Sequence, residues 1–402
     1  MKRGRIVLLA VLLAGAITAA ASGAVAAGTE PVSTATVQSS LNAYLEARCS
    51  VIQGGNPSKL ATFYDLAVAD ARNRVKYDQE YLVRYYQEPY KANGYTITDC
   101  HFDLKDLHID IDRRSAQVTV APVVRYDYRR PGWTTGQTVE EGEGVHTLVL
   151  RLTDPGTLKI TQHNYDDFFH GNLPDGPFQR GQVVIEPNQK VTNQAFLPPA
   201  DHKLSLSEKM QVEEAKTIAG AGTTANTVNV ALTSMRYDFV SAASYAWAWA
   251  CEGCRNDSYP GYPSDCTNFA SQAVHDSQGG KAPNYYVRWG DAWYINGRKP
   301  SYYTSDAWRL VINFRRLLLF GGGGPHGTAV GNPDNLVRGD IIIFQLEGAS
   351  APWNHTTLVC SYSQDGTPQL CYHSRDVRDR PWNTMPYKGV TAISMDSAFI
   401  YP

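Results

Sequence analysis

The chain of 402 residues carries seven cysteines: Cys49, Cys100, Cys251, Cys254, Cys266, Cys360 and Cys371. An odd number leaves at least one unpaired within a monomer. Cys49 and Cys100 are the only two in the first half, and Cys251 and Cys254 form the run C-E-G-C. Cys360 and Cys371 flank S-Q-D-G-T-P-Q, and counting outward from a two-residue turn at Asp365-Gly366 sets 360 opposite 371. Cys266 is left over. It stands in Y-P-S-D-C-T-N-F-A-S-Q-A-V, where a polar turn becomes a helix, since Phe269, Ala270, Ala273 and Val274 recur at helical spacing. A first-turn cysteine meets unpaired backbone N–H groups and the positive end of the helix dipole. Both favour a thiolate and can hold a developing oxyanion. Asp265 suits the N-cap, with its carboxylate occupied by backbone donors.

A nucleophilic thiol needs a proton acceptor. His355, in P-W-N-H-T-T-L-V-C-S-Y, opens a strand after the apolar run Ile341-Ile342-Ile343-Phe344, which sets its ring at a sheet edge where a helix end can meet it. A third group should orient the imidazole. Two residues of L-C-Y-H-S-R-D compete for that role. A two-residue hairpin turn sets Asp376 across from His355 and His373 on the other face, and a loop one residue longer reverses the faces. Asp265, Asn268, Tyr262 and Trp353 are expected around the substrate, with Trp382 a further aromatic in reach. C-E-G-C reads as a disulfide, because no second CxxC or H-x-x-x-H supplies the other ligands of a zinc site. No metal or cofactor is expected.

Two halves must position these residues. Residues 33–170 read as helices followed by a sheet. Leu41, Tyr44 and Leu45 share one helical face, and a second helical stretch runs from about Ser58 to Tyr86. Alternating strands follow: T-I-T-D-C-H-F-D-L, S-A-Q-V-T-V-A-P-V-V, H-T-L-V-L-R-L and L-K-I-T-Q. This α+β order resembles the cone-shaped nuclear-transport-factor-like fold. Residues 171–230 are rich in Pro, Gly and small polar residues, a linker with one helix near Ser207–Ile218. Residues 231–402 run helices first and strands after, the order of a papain-like α+β fold. Here G-G-G-G-P-H-G lacks the following G-K-[ST] of a phosphate cradle and reads as a loop or helix exit.

The N-terminus has a basic start (Lys2, Arg3, Arg5), an apolar run from Ile6, and Ala24-Val25-Ala26 as a cleavage site. Residues 1–27 therefore read as a signal peptide, with a secreted, extracellular or cell-wall-associated mature chain and no stable membrane span. An oxidising location agrees with paired cysteines. The composition, 43% apolar and 19% charged with a formal net charge of −2, is that of a soluble globular protein and speaks against nucleic acid, which needs a clustered positive face.

The run D-C-T-N-F-A-S-Q-A-V, the preceding Y-D-F-V-S-A-A-S-Y-A-W-A-W-A, then R-G-D-I-I-I-F, N-H-T-T-L-V and Y-H-S-R-D come in order over about residues 235–400. They resemble the "Putative amidase domain" family of secreted bacterial proteins, a distant relative of NlpC-type cell-wall peptidases and papain-like amidases. The resemblance implies Cys266 as nucleophile and His355 as base, with His373 as the polar third member by analogy with NlpC-type enzymes. It implies amide hydrolysis through an acyl-enzyme, with cell-wall peptide (peptidoglycan) as the natural substrate for an exported enzyme. Two other readings stand beside it: a non-catalytic module whose surface binds wall or peptide ligands, and acyl transfer to an amine of transglutaminase type, which uses the same residues.

Overall fold

The computed structural model of the protein describes residues 31–154, 157–165, 169, 173, 178, 180–185, 203–221, 233–280, 292–298, 301–346 and 351–401. The expected signal segment and much of the expected linker lie outside the described residues. The fold is α+β. Among the described residues no helix is long and apolar enough to cross a membrane.

The first half opens with α1 (Thr34–Ile52), capped by Ser33, whose hydroxyl accepts from Thr36 N. Its buried stripe includes Leu41, Tyr44, Leu45 and Arg48. The helix expected from Ser58 to Tyr86 is broken. A 3-10 turn spans Pro57–Phe63, and Asp65 N–H then donates to Ile160 O at 2.9 Å, which pulls the chain onto the sheet before α2 (Ala69–Leu82) can begin. A π-type turn at Val83–Gln87 leads to α3 (Glu88–Ala92). Next come β1 (Thr96–Asp112), β2 (Ser115–Arg129), β3 (Gln137–Gly142), β4 (His146–Asp154), β5 (Thr157–Asn164) and the short β6 (Gln182–Val183).

The second half comprises α4 (Leu206–Ala221), β7 (Thr233–Arg236), α5 (Phe239–Trp249), α6 (Cys266–Asp276), β8 (Ile295–Arg298), β9 (Ser301–Thr304), α7 (Asp306–Arg309), α8 (Val311–Phe320), β10 (Gly327–Val330), β11 (Ile341–Leu346), β12 (His355–Tyr362), β13 (Pro368–Tyr372), β14 (Val377–Pro381), β15 (Tyr387–Met395) and β16 (Ala398–Tyr401). The glycine run is the exit of α8, with Gly321 as its C-cap.

One sheet crosses both halves. Its order is β10-β15-β11-β12-β13-β14-β3-β2-β4-β5, with β1 on β2 and β6 on β15. The join is β14 on β3, where Val377 faces Glu141 and Arg378 faces Glu140. The described part of the expected linker is docked structure: β6 pairs with β15, and α4 buries Lys216 against Asp340 at 3.2 Å. On one face of the C-terminal strands, Ile342, Phe344, Val359, Leu370 and Tyr372 join the core of the first half. On the other, Ile341, Ile343, Leu358, Cys360 and Cys371 pack with α5, α6 and α8. Burial on both faces accounts for the unbroken apolar run of β11. Disulfides join Cys49 to Cys100, Cys251 to Cys254 and Cys360 to Cys371.

Candidate active site

Cys266 is the first residue of α6 and the free cysteine of the described chain, 3% exposed. Burial pushes its thiol pKa up, while the Thr356 backbone amide and the hydroxyls of Thr267 and Ser374 pull it back. Thr267 Oγ1 in turn lies 3.1 Å from Thr356 Oγ1, tying the helix start to β12.

Asp265 occupies the N-cap position but makes no capping bond. Its φ of −111° and ψ of −1° are not the extended values that fold a cap side chain over the first turn. The expectation that backbone donors of the helix occupy its carboxylate is thus corrected. One oxygen accepts from Tyr262 N at 2.9 Å and Asn268 Nδ2 at 2.8 Å, and the other lies 2.8 Å from His373 Nδ1. His373 Nε2 lies 2.9 Å from the Trp249 carbonyl, and the ring stacks on Phe269 with centroids 3.8 Å apart. The ring thus lies between a carboxylate oxygen on one side and a carbonyl oxygen on the other. Asp376 stands at the same corner, with Oδ2 3.1 Å from Arg255 Nη1 and Oδ1 3.9 Å from His373 Nε2.

His355 lies elsewhere. It pairs with Phe344 across the β11–β12 ladder, and its ring meets Tyr372 edge-on with centroids 4.6 Å apart. Phe344, Tyr372 and Val359 all belong to the core on the face away from α6, whereas Thr356, the next residue, reaches α6. Burial, with Arg380 adding to it, pushes the His355 pKa down to about 3, so the ring is neutral near pH 7. The structure therefore gathers Cys266, Asp265, His373 and Asp376, and sets His355 behind the strand.

The residues expected around a substrate are differently employed. Asn268 donates to Pro260 O at 2.7 Å and to Asp265, and its Oδ1 accepts from Trp308 Nε1 at 2.7 Å, which staples the loop before Cys266. The Tyr262 hydroxyl lies 2.7 Å from Thr304 Oγ1 on β9. Trp353 packs under Arg315, whose guanidinium carbon is 4.1 Å from the ring centroid, and Trp382 donates to Asp334 at 2.7 Å; both belong to other neighbourhoods. Sequence reasoning missed Ser374 and the Trp249 carbonyl. Ser374 adjoins His373 in the Y-H-S-R-D run and so was within sight, but no residue type marks a backbone carbonyl.

Residues 236–395 match the family described as "Putative amidase domain". The chain is 27% identical over 150 residues to "Uncharacterized protein YhbB" of Bacillus subtilis (strain 168), across 37% of this chain and 45% of that protein. It thus spans less than half the length of that relative. Among solved structures it is similar to one titled as a putative dehydratase of the NTF2-like family from Streptomyces avermitilis, at 17% identity and a TM-score of 0.22, covering 32% of this chain and 91% of that one. That TM-score is too low to assign a fold. The matched amidase stretch contains Cys266, His355, His373 and Asp376, and the C-terminal part of the chain is amidase-like.

Proposed function

We propose that the protein is an exported, cysteine-dependent amide hydrolase in which Cys266 is the nucleophile and His373 the proton carrier. The observation that carries this reading is the Asp265–His373 pair at 2.8 Å, set at the helix start that bears the free thiol. Asp265 accepts a hydrogen bond from Nδ1–H of His373, which fixes the tautomer whose Nε2 accepts and returns a proton. Burial favours the protonated thiol, so attack needs such an acceptor. The thiol proton passes to His373 as sulfur attacks the amide carbonyl, and the Trp249 carbonyl satisfies the charged ring. The amide N–H groups of the first turn, left uncapped by Asp265, are suited to hold the oxyanion. His373 then gives its proton to the leaving amine, and a water it activates releases the acyl group. His355, neutral and on the far face of β12, serves packing in this reading. The export pattern of residues 1–27 and the three disulfides favour an extracellular site of action, and cell-wall peptide as the amide substrate.

The test pairs hydrolysis of peptidoglycan peptides with the pH profile of Cys266 alkylation by iodoacetamide. Cys266→Ala should abolish hydrolysis and labelling while the protein stays folded. His373→Ala should change the alkylation profile and His355→Ala should leave it. A profile that responds to His355→Ala alone would return the base role to His355, and hydrolysis surviving Cys266→Ala would end the proposal.

A further inference from the structure

The His373 corner is a turn between β13 and β14, and it is bent into conformations that resist it. Ser374 has φ of +87° and Asp376 φ of +43°, left-handed values that non-glycine residues adopt only where surroundings impose them. The surroundings that impose them here come from the first half of the chain. Gly142 N–H at the end of β3 donates to Arg375 O at 3.1 Å, and Arg375 Nε donates back to Gly142 O at 3.2 Å. The same Nε lies 3.0 Å from Glu141 Oε1, and Nη2 lies 3.7 Å from Glu143 Oε1 and 3.4 Å from the Tyr86 hydroxyl. The guanidinium also sits 4.9 Å from the Tyr85 ring centroid. On the other side, the turn delivers its two polar residues to the site. His373 meets Asp265, and Ser374 Oγ accepts from Asp265 N at 3.3 Å and touches the Cys266 thiol.

We infer that Arg375 is a positioning residue through which the first half of the chain completes the Cys266 site: it fastens the 373–376 turn to Glu141 and Gly142 of β3, and so fixes His373 and Ser374 beside Asp265 and the thiol. This rests on the reading of Cys266 and His373 given above. Arg380 is the built-in contrast. It is buried in the same charge set, 3.5 Å from Glu141 Oε2, but its other bonds go to Thr384 and to the Tyr85 carbonyl, away from the turn. Arg375 carries the planar fork that binds carboxylate and carbonyl together, which a lysine does not reproduce.

The experiment compares Arg375→Lys, Arg375→Met, Arg380→Lys and His373→Ala in the full chain, by thermal unfolding and by the pH profile of Cys266 alkylation. Arg375→Met strands no carboxylate, since Glu141 keeps Arg380 and Glu143 keeps Arg48. Both Arg375 variants should change the alkylation rate by about tenfold, the scale of a reacting group displaced by a fraction of an ångström, and move the profile's midpoint. Arg380→Lys should lower the melting temperature and leave the profile in place. Folded Arg375 variants with the wild-type profile would overturn the inference, as would Arg380→Lys reproducing their effect. If neither Arg375 variant folds, hydrogen exchange of wild-type residues 373–377 decides: protection matching β3 supports the clamp, and exchange as fast as a surface turn overturns it. A profile unmoved by His373→Ala defeats the underlying reading of the site, whereas one moved by His373→Ala but by neither Arg375 variant defeats the clamp alone.

Discussion

Two buried polar clusters invite comparison. In the first half, Arg48 is bonded to Asp78 and makes two bonds of 2.9 Å to Glu143, while Tyr44, Tyr64, His146 and His163 complete the set. In the second, a single carboxylate and imidazole pair, Asp265 and His373, adjoins a thiol. The first cluster is richer in titratable groups and more thoroughly shifted. Burial pushes both His146 and His163 well below the ordinary histidine value and Tyr44 above the ordinary tyrosine value. Yet each charge there is answered by another protein group, and no thiol is among them. Perturbed titration marks burial as readily as chemistry. What distinguishes the second cluster is a free thiol at an uncapped helix start, with an imidazole beside it held from two sides.

The difference is open to direct attack. Asp78→Ala should have the largest effect on stability. It leaves the Arg48 guanidinium buried beside one carboxylate fewer, and breaking a buried pair from one side costs about 3–5 kcal/mol. Urea unfolding should read that loss, and the pH profile of Cys266 alkylation in the folded fraction should stay as in the wild type. A changed profile would mean that the two clusters are coupled beyond what separate roles allow.

Asp265→Asn should do the reverse. The substitution keeps the shape and the contacts to Tyr262 N and one ring nitrogen, and removes the charge that answers His373. The loss of stability should be about 2 kcal/mol, the scale of one hydrogen bond to a charged group. The larger change should be in Cys266 alkylation, whose pH profile should shift, because His373 loses the partner that fixes its tautomer. Wild-type alkylation in a folded Asp265→Asn protein would reduce Asp265 to a loop staple.

Much of this geometry was legible in the sequence, for a reason visible at the β12–β13 hairpin. A two-residue Asp365-Gly366 turn sets His373 on the face opposite His355. The observed loop, residues 364–366, is one residue longer: Tyr362 faces Pro368 and Ser363 N–H donates to Thr367 O at 3.0 Å, which alone would reverse the faces. A register shift between Val359 and Ser361 then leaves Cys360 without an opposite and reverses them again, so Leu358 faces Cys371. Two one-residue departures cancel, and the face parity read from the sequence survives. What did not survive is the partner across from His355. Continuing the observed register sets Ser374 there, and Asp376 falls into the left-handed corner beside Arg255. Loop length and bulges depend on tertiary packing, which alternation of residue types does not encode. The same limit hid the Arg375 anchor: its partners, Glu141 and Gly142, are more than 230 residues earlier in the chain.

The smallest effect concerns the seam between the two clusters. Burial pushes Glu141 up to about 7, with Arg380 pulling the other way. A carboxyl whose folded-state value lies above its unfolded value of 4.5 binds its proton more tightly in the folded protein. Its contribution to stability is then fully present below pH 4.5 and is lost as pH rises through about 7. Asp78 contributes with the opposite sign. Although burial raises it, the Arg48 guanidinium and the Tyr44 hydroxyl hold it below the ordinary value, so its contribution is present above that value and lost as pH falls through the folded one. Glu141→Gln removes the first titration and keeps the second. The difference in unfolding free energy between Glu141→Gln and the wild type should therefore move in favour of the variant between pH 5 and pH 8, and stay level below pH 4 where both side chains are uncharged. Urea midpoints across that range read it directly. A difference that moves in favour of the wild type as pH rises would show that the guanidiniums of Arg375 and Arg380 beside Glu141 outweigh its burial, and that the seam between the halves is held by full charge rather than by a shared proton.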